Sequence, residues 1–208
     1  FDLLALLSEL DRVDGLERIR LGSLDPFFIR KDVADALRSV EKLCPHFHIS
    51  LQSGSSKILA AMRRRYNRQT AMEQILYLKS LFPDCNLFAD VITGFPGETE
   101  EDFLETVRFL EAVRFLHVHI FPYSQRAGTA AAQLEGQIPK AVKKQRAAQL
   151  AAIQASIKAS LLSEFVSSGK KRTSFLKPGK TGFSKDILKI LLNLSARRIR
   201  ICAEKRER

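Results

Sequence analysis

The stretch Asp90-Val-Ile-Thr-Gly-Phe-Pro-Gly-Glu-Thr-Glu-Glu-Asp-Phe103 decides the fold. It joins a β-branched, strand-like run over 87–93 to a helical run over 100–113 through a loop with two glycines. Thr99 followed by Asp102 is close to a capping box, and acidic residues favour the positive end of a helix. A strand, a short loop and a helix form one βα unit, which is the building block of parallel sheets.

The same unit recurs through the first two thirds of the chain. The alternation predicts strands near residues 18, 48, 90 and 118, and helices over 2–10, 31–43, 56–66, 70–81 and 100–113. Parallel sheets are normally covered, and open strand edges are a liability. We therefore expect an α/β fold in which residues 1–136 form part of a (βα) barrel of the TIM type that contains only its later strands.

The remainder divides into a helix and a small module. Residues 137–168 predict one long helix, with Pro139 in its first turn and Gly169 at its end, spanning about 40 Å at 1.5 Å per residue. Residues 169–208 predict short strands near 172–177, 186–192 and 199–203, separated by turns. This segment is expected to be a small, basic, β-rich module.

Charge is distributed unevenly within the net value of +11. Residues 1–125 carry 15 Lys/Arg and 18 Asp/Glu, whereas residues 126–208 carry 19 Lys/Arg and 5 Asp/Glu. A solvated basic surface would also fit this pattern. We favour a nucleic acid as the partner of the basic part, because no apolar run is long enough for a membrane helix.

Cysteine usage indicates a reducing compartment. Cys44, Cys85 and Cys202 are separated by 41 and 117 residues, which fits neither a disulfide framework nor a local metal motif. The chain begins at Phe1 without a secretory leader. We expect a cytoplasmic location and no membrane partner.

Candidate ligand-binding residues follow the predicted strands, because ligands of βα barrels meet the loops at the carboxyl ends of the strands. Gln52 to Ser55 offer an amide, hydroxyls and backbone N–H groups to an anion or a sugar, although Ser55 or Ser56 as a plain helix cap is an alternative. Gly94 allows close backbone approach, and Phe95 could lie against a flat base.

Two further groups are predicted to be structural. His46, His48, His117 and His119 alternate on two strands, but no carboxylate accompanies them at ligand spacing, so we predict lining residues and no metal site. Of the three arginines 63–65, at least one should face solvent and one could face the mouth of the site.

Five strings together resemble the MiaB/RimO-like radical SAM methylthiotransferases. They are Arg18-Ile-Arg-Leu-Gly-Ser-Leu-Asp-Pro26, His48-Ile-Ser-Leu-Gln-Ser-Gly-Ser55, Met62-Arg-Arg-Arg-Tyr66, the stretch 90–103 quoted above and Phe121-Pro-Tyr-Ser-Gln-Arg-Ala-Gly-Thr-Ala130. The resemblance covers roughly residues 1–165, and the Met62–Tyr66 string is most like the MtaB type. It is specific because five strings agree in order and spacing.

The resemblance implies a radical SAM barrel, S-adenosyl-L-methionine and 4Fe–4S clusters as cofactors, and tRNA as the partner. The implied reaction adds a methylthio group to C2 of N6-threonylcarbamoyladenosine beside the anticodon. The implied SAM-binding residues are Ser23, Gln52, Ser53, Asp90, Gly94, Phe95 and Phe121. Tyr123 and Arg126 would face SAM or the substrate base. The implied phosphate contacts in a TRAM-like module are Lys170, Lys171, Arg172, Lys180, Lys185, Arg197, Arg198 and Arg200.

The sequence departs from the family pattern in two respects that bear on activity. The resemblance implies one cluster in an N-terminal domain and a second cluster held by a Cys-x-x-x-Cys-x-x-Cys loop of the barrel, and the given sequence shows neither that domain nor that motif. We therefore expect this chain to lack the cysteine ligands of both clusters. We expect the N-terminal region of the parent protein to be the missing partner, and this chain alone to be inactive. Two alternatives remain: a ribosomal-protein aspartate methylthiotransferase, and a cluster-free RNA-binding remnant.

Overall fold

The computed structural model describes residues 2–168 and, for the backbone only, residues 200–205. These residues form a five-stranded sheet in the order β4-β3-β2-β1-β5. The strands are β1 (Leu16–Leu24), β2 (Leu43–Gln52), β3 (Asn86–Thr93), β4 (His117–Pro122) and β5 (Arg200–Lys205). The helices are α1 (Leu3–Asp11), α2 (Lys31–Leu37), α3 (Ser56–Ala61), α4 (Arg68–Leu81), α5 (Glu100–Val113) and α6 (Lys140–Ser167).

Strands β1 to β4 are parallel neighbours, as the βα alternation predicts. Each lies where the sequence places a strand. Since neighbouring parallel strands point the same way, their carboxyl ends lie along one edge of the sheet, which we call the rim. Leu24, Gln52, Thr93 and Pro122 end the four strands there. The described part of the chain is thus an α/β fold with a four-stranded parallel sheet.

The two faces of this sheet differ in character. Phe47, Ile49, Ala89 and Val118 point to one side, where helices bury them almost completely. The alternate residues point to the other side and are only half-buried or exposed. This second side, the open face, carries His46, His48, Phe88, Asp90, His117, His119 and Phe121.

Two predicted helices end earlier than expected. The helix predicted over 31–43 stops at Leu37, because Val40 and Leu43 enter the core from a turn and from the start of β2. The spacing of Val40 and Leu43 is helical, although neither residue lies in a helix. The helix predicted over 56–66 stops at Ala61, and Arg63 has a φ of 55°, a left-handed conformation that no helix continues through.

Helix α6 begins directly after Pro139 and continues to Ser167, as the sequence predicts. Gln154 Nε2 donates to the carbonyl oxygen of Phe115 at 3.0 Å, and Leu150 is fully buried against the core. The helix therefore packs along β4, starting near the rim. No helix among the described residues is long and apolar enough to cross a membrane.

Of the predicted C-terminal module, only one strand falls within the described residues. β5 overlaps the strand predicted at 199–203 and pairs antiparallel with β1, with Ile19 opposite Ala203 and Leu21 opposite Ile201. It extends the parallel sheet on the β1 edge. The strands predicted at 172–177 and 186–192 lie outside the described residues.

Candidate functional site

Three residues at the rim have left-handed backbone conformations. Ser23, Gln52 and Gly94 have φ values of 57°, 67° and 71°. Glycine adopts this region freely, whereas serine and glutamine rarely do, and such strain concentrates at functional sites. The chain therefore turns sharply at the carboxyl ends of β1, β2 and β3, where the sequence predicts cofactor contacts.

Asp102 connects the loop after β2 to the loop after β3. Its carboxylate accepts hydrogen bonds from Ser55 Oγ at 2.8 Å, Lys57 Nζ at 2.7 Å and Thr99 Oγ1 at 2.7 Å. Burial alone would raise its pKa, but these hydrogen bonds lower the pKa of Asp102 to about 2. The predicted capping box of Thr99 and Asp102 is confirmed. Ser55 occupies the cap position of α3, yet its hydroxyl donates to Asp102 instead of capping the helix.

Ser53 is buried at the foot of the same loop. It is 1% exposed, its Oγ lies 3.4 Å from Thr106 Oγ1, and it accepts from Ser55 N at 3.1 Å. A Cβ on Gly54 would come within 2.6 Å of Thr106 Cα, so only glycine allows this approach to α5. The hydroxyl of Ser53 thus binds within the protein, and its role as a cofactor contact stays a prediction.

Glu98 and Arg146 fix the loop after β3. Glu98 Oε1 accepts from Gly94 N at 2.9 Å and from Arg146 Nη1 at 2.7 Å, and Arg146 also donates to the Glu98 carbonyl oxygen at 3.1 Å. Burial outweighs these hydrogen bonds and raises the pKa of Glu98. The sequence analysis did not single out Arg146 among the basic residues of the long helix.

An aromatic pair lies between this loop and the segment after β4. The rings of Phe95 and Tyr123 meet edge to face at 5.3 Å, and Lys143 Nζ lies 4.7 Å above the Tyr123 ring. The same ammonium donates to the Tyr123 carbonyl oxygen at 3.1 Å. The hydroxyl of Tyr123 is buried and has no hydrogen-bond partner among the described residues. The structure therefore brings three predicted residues together here, Gly94, Phe95 and Tyr123.

One arginine of the 63–65 run reaches the rim. Arg64 Nη1 lies 3.1 Å from Asp25 Oδ2 in the segment after β1, with both side chains about three-quarters buried. Asp25 also caps the 3₁₀ helix Pro26–Phe28 through Phe27 N. Arg63 and Arg65 are exposed, as expected for most of this run.

Asp90 and Phe121 lie on the open face. Asp90 sits within β3 rather than after it, and its Oδ1 lies 2.8 Å from His48 Nε2. Phe121 is 51% exposed and its ring stacks at 6.4 Å on His119. Arg126 is exposed in the segment that follows β4.

The statement that no carboxylate accompanies the histidines is wrong. His48, Asp90 and His119 come from three adjacent strands, and each presents a ligand atom within 4.8 Å of the other two. Local sequence does not reveal this cluster, because the carboxylate comes from β3, between the two strands that carry the histidines.

The cysteines of the described part do not fit an iron–sulfur cluster at the rim. Cys44 is the second residue of β2, and Cys85 directly precedes β3, so both lie at the opposite edge of the sheet. Cys44 is also buried. The predicted RNA contacts from Lys170 to Arg198 lie outside the described residues, as does the side chain of Arg200.

Residues 2–110 match the family model of the radical SAM superfamily. The chain is 43% identical over 145 residues to the tRNA-2-methylthio-N(6)-dimethylallyladenosine synthase of Acetivibrio thermocellus, covering 70% of this chain and 30% of that protein. It is 44% identical over 146 residues to the threonylcarbamoyladenosine tRNA methylthiotransferase MtaB of Bacillus subtilis, covering 70% and 32%. The Aquifex aeolicus MtaB is 42% identical over 146 residues, covering 70% and 36%.

The chain thus spans about a third of the length of these curated relatives. A solved structure of the cobalamin-dependent S-adenosylmethionine radical enzyme OxsB aligns with a TM-score of 0.43 at 12% identity, covering 75% of this chain and 20% of that one. SAM and a 4Fe–4S cluster are the cofactors of the superfamily. The matched residues include the parallel strands β1, β2 and β3 and the rim loops that follow them. The chain therefore belongs to the radical SAM superfamily and, within it, to the methylthiotransferase family.

Proposed function

We propose that this chain is the SAM- and substrate-facing part of a tRNA methylthiotransferase that modifies an adenosine beside the anticodon. The observation that carries the proposal is the meeting of the loops after β2, β3 and β4 at one rim. The similarity to three tRNA methylthiotransferases supports the same substrate class. The four parallel strands would then be the later strands of a radical SAM barrel.

The aromatic pair gives the rim a surface suited to an adenosyl group. The Phe95 and Tyr123 rings are held edge to face, and purine bases pack readily against such rings. The Tyr123 hydroxyl, buried and unpartnered among the described residues, suits a polar atom of SAM or of the substrate base. When bound, SAM supplies the hydrogen-abstracting and methyl-donating chemistry, and the protein orients the two reactants.

The remaining predicted contacts support this arrangement from either side. Ser23 and Gln52 are held in left-handed conformations at the rim. The loop carrying Gly94 is fixed by Glu98 and Arg146, so it is rigid before any ligand arrives. Cluster ligands would come from the N-terminal region of the parent protein.

We further propose that tRNA phosphates bind the basic C-terminal part. The charge of residues 126–208, with 19 Lys/Arg against 5 Asp/Glu, suits a polyanion. A TRAM-like module at 169–208 and a cytoplasmic location belong to the same proposal. Such contacts would position the RNA without reading its sequence.

The proposed nucleoside is N6-threonylcarbamoyladenosine, and the string Met62–Tyr66 supports this choice. Arg64 in that string forms an ion pair with Asp25, in the segment that follows β1 at the rim. The MtaB of Bacillus subtilis, by its name, acts on threonylcarbamoyladenosine in tRNA.

Deleting the gene and analysing digested tRNA by liquid chromatography and mass spectrometry tests the proposal. We expect loss of 2-methylthio-N6-threonylcarbamoyladenosine, restored by the intact gene and not by a copy with Tyr123→Ala. Loss of 2-methylthio-N6-isopentenyladenosine instead would reassign the nucleoside. Unchanged 2-methylthio nucleosides in tRNA, together with loss of a methylthiolated aspartate in ribosomal protein, would favour the protein-modifying alternative.

A further inference from the structure

We propose that His48, Asp90 and His119 form a binding site for a divalent transition-metal ion on the open face of the sheet. This inference does not depend on the proposed function. Two imidazoles with one carboxylate are a common ligand set for Zn²⁺, Co²⁺, Ni²⁺ and Fe²⁺.

The sheet register brings the three side chains together. Asp90 on β3 is paired with His119 on β4, and Phe88, two residues before Asp90, is paired with His48 on β2. Residues two apart in a strand share a face, so all three side chains point to the open face. Their ligand atoms lie within 4.8 Å of one another. Closure around an ion needs only side-chain rotation, because the three backbones are already fixed by strand pairing.

Asp90 already orients one of the two imidazoles. Its Oδ1 lies 2.8 Å from His48 Nε2, while the rings of His48 and His119 stack at 5.4 Å. His48 and Asp90 are about three-quarters buried, and His119 is exposed. The site would therefore have two sheltered ligands and one side open to solvent, an arrangement typical of metal sites that keep a coordination position free.

Titrating the tag-free 208-residue chain with ZnCl₂, after treatment with a chelator, tests the proposal by calorimetry. We expect one Zn²⁺ per chain, with affinity falling at least about tenfold in His119→Ala and in Asp90→Asn. His46→Ala is the matched control, because His46 shares the strand and face of His48 but lies outside the trio. Its affinity should equal that of the wild-type chain.

A second probe separates this site from adventitious thiol binding. Co²⁺ bound by imidazole and carboxylate gives visible absorption without a sulfur charge-transfer band, and Cys85→Ser should leave it unchanged. Absence of Zn²⁺ binding would overturn the proposal. So would binding that survives in His119→Ala with Asp90→Asn, or binding that His46→Ala weakens equally. Circular dichroism tests whether each variant is folded. If His119→Ala does not fold, His119→Gln replaces it in the titration.

Discussion

Arg146 Nη1 lies 2.7 Å from Glu98 Oε1, and the two side chains are only 8% and 3% exposed. This ion pair connects the first turns of α6 to the loop after β3. A buried charge that loses its partner is far more costly than a lost surface pair. The contact therefore controls both stability and the geometry of the rim.

Replacing Arg146 with alanine should lower the free energy of unfolding by about 3–5 kcal/mol, because Glu98 stays buried without its partner. The exposed pair of Arg108 and Glu101, with side chains 53% and 65% exposed, is the control. Both variants are measured by urea titration, in which Arg108→Ala should lower the free energy of unfolding by less than about 1 kcal/mol. Adding Glu98→Gln to Arg146→Met should recover part of the loss. Equal costs for Arg146→Ala and Arg108→Ala would contradict this account of the pair.

Asp102 should govern stability at acid pH. Its pKa is lowered to about 2 in the folded state, against an ordinary value of 3.8. A depressed carboxyl pKa stabilises the fold above the ordinary value, and this contribution is lost as pH falls from about 4 to about 2. Asp102→Asn should be less stable than the wild type at pH 7, and the gap should narrow over that range. Thermal unfolding at a series of pH values measures the difference in stability between the two proteins, and a difference that does not change with pH would refute the prediction.

Gly94→Ala should destabilise the loop more than Gly97→Ala. Both glycines have positive φ, 71° and 78°, so both substitutions carry a backbone cost of about 1 kcal/mol. Only at Gly94 would the new Cβ meet another atom, Cγ of Lys143, whereas nothing lies within 4 Å at Gly97. The Lys143 stem must then move away from Tyr123. Paired melting curves compare the two, and similar shifts would mean that Lys143 moves freely.

His46 should remain neutral well below the pH at which histidines usually titrate. Burial first, then Arg20 and His48, lower its pKa to about 4 from 6.5. Since the unfolded chain binds this proton more readily, stability should decline as pH falls from 6.5 toward 4. Proton NMR titration of the imidazole signals, assigned with His46→Gln, reads the pKa directly. A midpoint near 6.5 would show that the imidazole is solvated.

The parallel sheet is predictable from the sequence because short strand-like runs alternate with helical runs. The run 87–93 is rich in apolar and β-branched residues, and the capping box at the start of α5 marks where the loop ends. The predicted end of a helix is wrong where buried residues beyond the helix happen to continue its apolar spacing. Val40 and Leu43 continue a helical spacing although the helix has already ended, because tertiary burial rather than helix packing selects them.

The candidate site is predicted only in part, since its missed members depend on pairing between distant segments. Arg146 fills a gap between Val142 and Leu150 in the apolar stripe of α6, and that gap was the available signal for a buried arginine. Asp90 meets His48 through strand register, which local sequence does not contain.

Helix α6 has contacts at both ends of the strand layer. Lys143 and Arg146 hold the rim, while Glu164, five turns further on, binds Arg114 at the entry to β4. Because a helix resists compression and stretching along its axis, the distance between these two contact points is nearly constant. We therefore expect a displacement of the carboxyl-terminal end of α6 to shift the Gly94 turn, about 30 Å away at 1.5 Å per residue.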